Sequence, residues 1–407
     1  MKSFFNSKLI VLAVMVVLLS AAYSFYYHDR PRVDAEAYDA IARNLAAGRG
    51  YIEDRTNEHH PERDDAIVRV GPGYEFFLAG VYTLFGRHLW IVWILHALIR
   101  GASVIVLYAI GRMLLPEKEH VWLLSAAVFG FTPDLIVVNG LLLTETLFLF
   151  LFLYATYETL HLGKAHSRAR VFWAGCIWGL AILTRPTALL PFLVTGGMLM
   201  RHKNTVSVLL LIIPVVLLVG PWSYYMSMRY EAFILTTTAG GLDLWVGNNP
   251  DATGGFVKTP EIQDVRNMYH SVEFSRIAFQ KYVEFITESP FAFLELQWRK
   301  TALYFSLVRP TGFWIHLAGY PWHRLVTLFA SGVWTVAISV IPFIVETRYR
   351  YALFPFLAVC AVTAYYEYPK YRRVFFSVCM LLFIFTAYDM WFNWLEIWDK
   401  LYTAVPF

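Results

Sequence analysis

The 407-residue sequence is short of charge and nearly devoid of cysteine. Only 16% of its residues are Asp, Glu, Lys or Arg, and 58% are hydrophobic, whereas soluble globular chains carry roughly 25% charged residues. That deficit, with the repeated long apolar runs, excludes a soluble globular fold, a disordered chain and a fibrous one. The balance of 34 basic against 30 acidic residues leaves a net charge of +4, too weak to imply a nucleic-acid partner. The three cysteines, Cys176, Cys360 and Cys379, all fall within apolar runs and read as small buried residues rather than a disulfide or metal framework. No repeat of about 20–50 residues and no Gly-rich phosphate loop is visible, which argues against ATP-driven transport.

What the sequence has instead is apolar length. Lys2 and Lys8 precede a run from Leu9 to Tyr27 that is too long for a secretory leader and ends in Tyr23-Ser24-Phe25-Tyr26-Tyr27, an aromatic belt rather than a cleavage site. It reads as a retained first span. Further runs near 89–112, 121–138, 139–160, 206–227, 325–345, 351–368 and 374–395 approach the roughly 20 residues that an untilted crossing needs. Two shorter runs, 171–184 and 187–200, flank Thr184-Arg185-Pro186, and 301–320 contains Arg309-Pro310.

Basic clusters free of acids at Lys164, Arg168 and Arg170, at Arg201 and Lys203, and at Lys370, Arg372 and Arg373 belong on the cytoplasmic side by the positive-inside bias. Residues 28–72 and about 229–300 are then outside. Parity requires 301–320 to cross. The predicted fold class is an all-α polytopic membrane protein of about eleven transmembrane helices, with an interfacial helix and two large extracytoplasmic loops. Its parts are an amino-terminal transmembrane module over 1–228 (first outer loop 28–72), a second outer loop over 229–300, and carboxy-terminal helices over 301–407.

The outer loops hold the candidate chemistry. Tyr38, Ile41, Ala42 and Leu45 recur at helical spacing after Asp34, which predicts a short amphipathic helix along the membrane surface. Asp34 at its start reads as an N-cap, as a catalytic carboxylate, or as both, since capping leaves one oxygen free. The loop 52–66, with Asp54, Glu58, His59, His60, Glu62, Asp64 and Asp65, contains metal-ligand residue types but equally suits a solvated charged surface. Arg69 is an interfacial anchor or a contact for an anionic head group.

Glu145 and Arg185 each interrupt an apolar stretch. An ionisable group within a span costs on the order of 3 kcal/mol, so the two either form a structural ion pair or line a polar cavity open to the outside. In the second loop, Trp245, Asn248 and Asn249 are the residue types of a sugar site: amides bond hydroxyls as donor and acceptor, and an exposed Trp face packs on a ring. A plain strand followed by an Asn-Pro turn is the other reading. Arg348 and Arg350, either side of Tyr349, can face one pocket from an extended lead-in and grip a lipid phosphate bidentately. Interfacial snorkelling is the competing account.

These pieces, taken in order, resemble a known family. Asp34, Tyr38, Ala42, Leu45, Gly48, Gly50 and Tyr51, then Pro72-Gly73-Tyr74, Thr144-Glu145, Leu183-Thr184-Arg185-Pro186, Pro221-Trp222, Gly247-Asn248-Asn249-Pro250 and Arg348-Tyr349-Arg350 resemble the membrane-embedded, polyprenyl-phosphate-sugar-dependent glycosyltransferases. That group contains the dolichyl-phosphate-mannose–protein mannosyltransferases and the aminoarabinose lipid A transferases, both of GT-C type. The resemblance covers roughly residues 30–368. It departs at Asp34-Ala35-Glu36, where many members have adjacent Asp-Glu, and at Gly71 and Glu75, which replace two prolines of the Arg-x-Pro-Pro-Gly-Tyr-Pro pattern.

The resemblance implies an inverting transfer of one sugar from a polyprenyl phosphate, such as undecaprenyl phosphate, to an extracytoplasmic acceptor (lipid A, another glycan or protein) at the outer face of the cell (inner) membrane. Asp34 would be the general base. Arg69, Arg185, Arg348 and Arg350 would meet the departing phosphate. Glu145 would orient an Arg or help hold a divalent cation, the one cofactor left open, and the metal ligands stay unknown. Trp245, Asn248, Asn249 and Tyr349 complete the expected binding set, with membrane lipids as neighbours and no nucleic acid. A transporter or flippase of a lipid-linked sugar is the alternative; such proteins show internal repeats and broken central helices.

Overall fold

The computed structural model describes residues 7–53, 68–114, 116–162, 167–201, 205–253, 271–304, 336–343 and 347–367, with 377 and 380. Every regular element among them is helical. In chain order these are α1 Ser7–Tyr27, α2 Asp34–Ala46, α3 Gly73–Phe85, α4 Leu89–Leu114, α5 Glu119–Gly130, α6 Pro133–Gly140, α7 Glu145–His161, α8 Arg168–Thr184, α9 Leu189–Arg201, α10 Thr205–Tyr230, α11 Gly240–Gly247, α12 Ser271–Glu288, α13 Pro290–Tyr304 and α14 Phe354–Glu367. Short 3-10 turns precede α9 and α14.

Three helices among the described residues, α1, α4 and α10, are long and apolar enough to cross a membrane, and α5 with α6 makes a fourth if the pair is one span. At 1.5 Å per residue the 21 residues of α1 match a hydrocarbon core of about 30 Å. Parts of the expected spans 301–320 and 325–345, and 374–395 apart from two residues, lie outside the described residues, so the count of eleven is not reached here.

The expected crossing at 121–138 is broken. α5 and α6 meet at Thr132-Pro133 with a bend of 49°, because Pro133 lacks the amide hydrogen that would continue the ladder. The carbonyls left open at the break need a donor within an apolar surround. Arg100 of α4 supplies it: one terminal nitrogen donates to Phe129 O at 3.1 Å and to Gly130 O at 2.8 Å. The next expected span, 139–160, does not begin at 139. α6 ends at Gly140, Leu141 is extended, and the following helix starts at Glu145.

Packing follows small residues and apolar stripes. α8 lies against α10, α4 against α7 and α1, and α14 against α5. Gly175 and Gly179, one turn apart on α8, let α10 come close: a Cβ on Gly175 would run into Leu211 O, and one on Gly179 would sit 2.8 Å from Leu218 Cδ1. Without a hydrophobic drive between helices in lipid, such close backbone approach is what holds them. The main core runs through Val16, Val104, Trp122, Phe152, Trp178 and Leu357. A second cluster joins α2 to α3 through Tyr38, Ala42, Tyr74 and Leu78. A third joins α11 to α12 and α13 through Trp245, Val246, Phe274 and Leu296.

Candidate active site

The amphipathic helix forms as α2, but Asp34 is not its N-cap. Val33 holds that position with φ 53° and ψ −113°, and Asp34 is the first helical residue. A β-branched residue at positive φ is strained. This one is exposed, so no side-chain packing of its own explains the conformation. The Asp34 carboxylate that follows, 23% exposed, faces Arg69.

Arg69 comes from the segment just before α3. Its Nε lies 3.4 Å from Asp34 Oδ1, while Nη2 and Nη1 donate to Glu53 Oε1 and Oε2 at 2.7 and 3.1 Å. The guanidinium is thus forked onto one carboxylate and side-on to a second. Burial works against its charge, but the hydrogen bonds and charge of Glu53, with the charge of Asp34, outweigh that and raise its pKa above the ordinary value. The segment before α11 fixes the backbone beside it. Thr237 Oγ1 donates to Val68 O at 2.6 Å and to Arg69 O at 3.1 Å, and Val68 N donates to Thr238 Oγ1 at 3.1 Å.

Glu145 and Arg185 meet across α7 and the end of α8. Both are buried, with Nη1 to Oε1 at 3.2 Å. The contact is ionic rather than an aligned hydrogen bond: Oε1 accepts none among the described residues, and Thr144 Oγ1 donates to Oε2 at 3.3 Å. The Arg185 guanidinium also lies over the rings of Tyr349, at 5.3 Å, and Phe148, at 5.8 Å, an arrangement that holds a desolvated cation. The ion-pair and cavity readings therefore combine: the pair lines a small cleft whose other walls include Leu149, Val336, Val340 and Tyr351.

The two halves adjoin. Gly71 lies against Leu183 O, and a Cβ on Gly73 would sit 2.8 Å from Thr184 N, so the turn after Arg69 packs on the backbone just before Arg185. Tyr38 of α2, fully buried, lies within electrostatic reach of Asp34, Glu75, Glu145 and Arg69, and its ring packs on Tyr74 at 5.7 Å. Burial, then the neighbouring carboxylates, push its phenol well above the usual tyrosine range.

The remaining expected residues are placed as follows. Arg348 is in the 3-10 turn before α14, and its side chain lies outside what is described; Tyr349 touches Arg185, and Arg350 is buried with Tyr304 in its electrostatic reach. Residues 240–247 form a helix, not a strand, and Trp245 is buried in the third cluster rather than exposed, because α12 and α13 cover its face. Asn248 is fully buried at the helix end. Its amide donates to Leu244 O and Pro342 O, and its carbonyl accepts from Lys300 Nζ at 2.8 Å and Gln297 Nε2 at 2.6 Å. Asn249 donates to Trp245 O and Val246 O. The acidic stretch from Asp54 to Asp65, with His59 and His60, lies outside the described residues. Among those described, no group of three or more His, Cys, Asp or Glu could hold a metal ion.

The contacts of three residues in this neighbourhood escape a reading of sequence. Glu53 looks like one more acid in an acid-rich loop. Tyr51 donates to Glu75 Oε1 at 2.9 Å while its ring packs on Trp222 at 4.9 Å. Glu75 is fully buried; the replacement of a proline by an acid at this position is the one signal that could have found it.

Comparison with known proteins gives the following. A family model described as dolichyl-phosphate-mannose-protein mannosyltransferase matches residues 64–225, two fifths of the chain. No curated protein sequence matches it. The oligosaccharyltransferase of Archaeoglobus fulgidus, solved with Zn and sulfate, superposes with a TM-score of 0.54 at 13% identity, over 92% of this chain and 51% of that one. ArnT from Cupriavidus metallidurans, solved with undecaprenyl phosphate, gives a TM-score of 0.42 at 15% identity, over 88% of this chain and 77% of that one. The chain thus spans about half the length of the oligosaccharyltransferase whose fold it shares.

Proposed function

From the premise of a GT-C glycosyltransferase fold, we propose that this membrane protein transfers one sugar from a polyprenyl-phosphate-linked donor to an extracytoplasmic acceptor, with inversion at the anomeric carbon. The observation that carries the reading is the partly exposed Asp34 carboxylate, held by Arg69 at 3.4 Å, with the turn after Arg69 packed through Gly71 and Gly73 on the backbone just before Arg185.

Asp34 accepts the proton of an acceptor hydroxyl as that oxygen attacks the anomeric carbon. The bond from that carbon to the phosphate oxygen breaks, and the electron pair leaves with the lipid phosphate. We assign the developing charge to Arg185, which lies over the ring of Tyr349; a buried cation fixed in advance stabilises such charge strongly. Glu145 holds Arg185 through a contact that is not an aligned hydrogen bond, so an incoming phosphate can compete for it. The apolar walls at Leu149, Val336 and Val340 suit the first units of a polyprenyl chain. In this reading the site faces the extracytoplasmic side of the cell membrane; the part at 1–228 supplies the base and Arg185, 229–300 the threonines that hold the Val68-Arg69 backbone, and 301–407 the Arg348-Tyr349-Arg350 segment. The acceptor is lipid A, another glycan or a protein.

Mass spectrometry of envelope lipids and glycans from a deletion strain tests this. The reading expects an increment of one sugar to be missing, restored by the native gene and not by Asp34→Asn, whose product still binds undecaprenyl phosphate. Full restoration by Asp34→Asn overturns it.

A further inference from the structure

Glu75 has no part in the transfer as derived above. It lies in the first turn of α3, a helix of 13 residues and therefore too short at about 20 Å to cross a membrane. Its side chain has no solvent exposure. One oxygen accepts from Tyr51, and the other, equally buried, has no hydrogen-bond partner among the described residues. A carboxylate in that position leaves a charged oxygen desolvated and unpaired, at a cost of several kcal/mol, whereas a protonated carboxyl carries no such charge.

The groups around it are Tyr51, Glu53 and Arg69 from the first outer loop, Tyr38 from α2 and Tyr74 from α3 itself. Trp222 of α10 covers Tyr51, and Arg229 of α10 donates to Tyr51 O at 3.1 Å. Arg69 already divides itself between Glu53 and Asp34. A third carboxylate charge beside these would draw on the same guanidinium and add negative potential where an anionic lipid has to bind.

We propose that Glu75 is a positioning residue that works as a neutral acid: holding its proton, it leaves Arg69 to Asp34 and Glu53 and keeps the site open to a lipid phosphate, and losing it weakens that binding. This rests on the transferase reading and adds its regulation. Burial, opposed by the hydrogen bonds it accepts and by Arg69, pushes the Glu75 carboxyl up to about 7, which puts the change within the physiological range. Removing the Tyr51 hydroxyl takes away a bond that favours the ionised form, so Tyr51→Phe moves the change to higher pH.

The test is the affinity of the detergent-solubilised full chain for undecaprenyl phosphate, followed by fluorescence from about pH 6 to about pH 9. The native protein is expected to bind on the order of tenfold more weakly at the alkaline end, Glu75→Gln to vary by about twofold or less, and Tyr51→Phe to show the loss displaced upward. The second ionisation of a phosphate monoester, near pH 6, is common to all three proteins and cancels in the comparison. If native and Glu75→Gln profiles superimpose, or if Tyr51→Phe shifts downward, this inference falls and the transferase reading stands. If no variant, native included, binds the lipid at any pH, both fall. Should Glu75→Gln fail to fold, the direction of the Tyr51→Phe shift decides alone.

Discussion

Arg69 turns its Nε to Asp34 at 3.4 Å while its two terminal nitrogens are committed to Glu53. That division sets how Asp34 can act. A carboxylate in full bidentate grip would be a poor proton acceptor; Arg69 meets this one side-on, through a single nitrogen. Arg69→Lys replaces a planar fork by a point charge, which cannot satisfy Glu53 and still orient Asp34. The expected outcome is a folded protein whose sugar transfer falls about 10²–10³-fold. Complementation of a deletion strain, scored by the sugar increment, measures this. Near-native transfer would separate Arg69 from the chemistry.

Gly73 is the second point of leverage. A Cβ there would meet Thr184 N, Thr184 Oγ1 and Leu183 C at 2.8 to 3.0 Å, and backbone cannot swing aside as a flexible side chain can. Gly73→Ala has to push the turn after Arg69 away from the segment before Arg185. Overpacking of this kind costs about 1–3 kcal/mol. It also moves the two halves of the site apart, so transfer is expected to fall by more than the stability loss explains. Thermal unfolding in detergent and the transfer assay, read together on Gly73→Ala and on Gly80→Ala as a control with open space at the Cβ, check it.

Several of these relationships could be read in advance, and the reasons are specific. Period alone places α2, because its apolar residues recur at helical spacing whatever covers them. Opposite charges interrupting two apolar runs identify Glu145 and Arg185, because uncompensated charge in such runs is costly. The break at Thr132-Pro133 has a visible proline, but hydropathy averages over it, and the rescue by Arg100 is made from another helix. Trp245 looks exposed in a loop rich in small residues because nothing local announces that α12 and α13 cover it. Asp34 reads as a cap because caps favour Asp, yet Val33 takes that place through a conformation that β-branched residues normally avoid. Glu53 and Glu75 depend on contacts with distant or nonadjacent residues. Tertiary packing decides their roles.

Glu75 makes a prediction about stability that does not involve any ligand. Its folded carboxyl sits at about 7 against an ordinary 4.5, so the native state holds a proton that the unfolded chain has released. Stability from this group is present in full below about pH 4.5 and is lost as pH rises through about 7, after which the loss is constant. The size is on the order of 3 kcal/mol. Relative to native, Glu75→Gln should gain stability as pH increases over that window, when both are followed by thermal unfolding in the same detergent. A constant difference across the window would mean that Glu75 is ionised throughout.

The Glu145–Arg185 pair separates function from folding most sharply. Both side chains are buried, and removing one partner strands the other. Glu145→Leu alone is therefore expected to lose about 3–5 kcal/mol of stability, and Arg185→Leu a similar amount, whereas the double replacement, which leaves no charge behind, should recover most of it. If the pair serves only to join α7 to the end of α8, the double variant should also recover transfer. If Arg185 receives the departing phosphate, the double variant folds, keeps Tyr349 and Phe148 packed, and stays inactive. Lipid binding divides the outcomes further: loss of affinity for undecaprenyl phosphate in the folded double variant locates the phosphate at Arg185, and retained affinity moves it towards Arg348 and Arg350. Glu145→Gln refines the point, since the amide preserves shape while releasing Arg185 from its counter-charge. Tighter lipid-phosphate binding with slower transfer is the expected pairing, because a guanidinium freed for the ground state is no longer reserved for the charge that develops as the bond breaks.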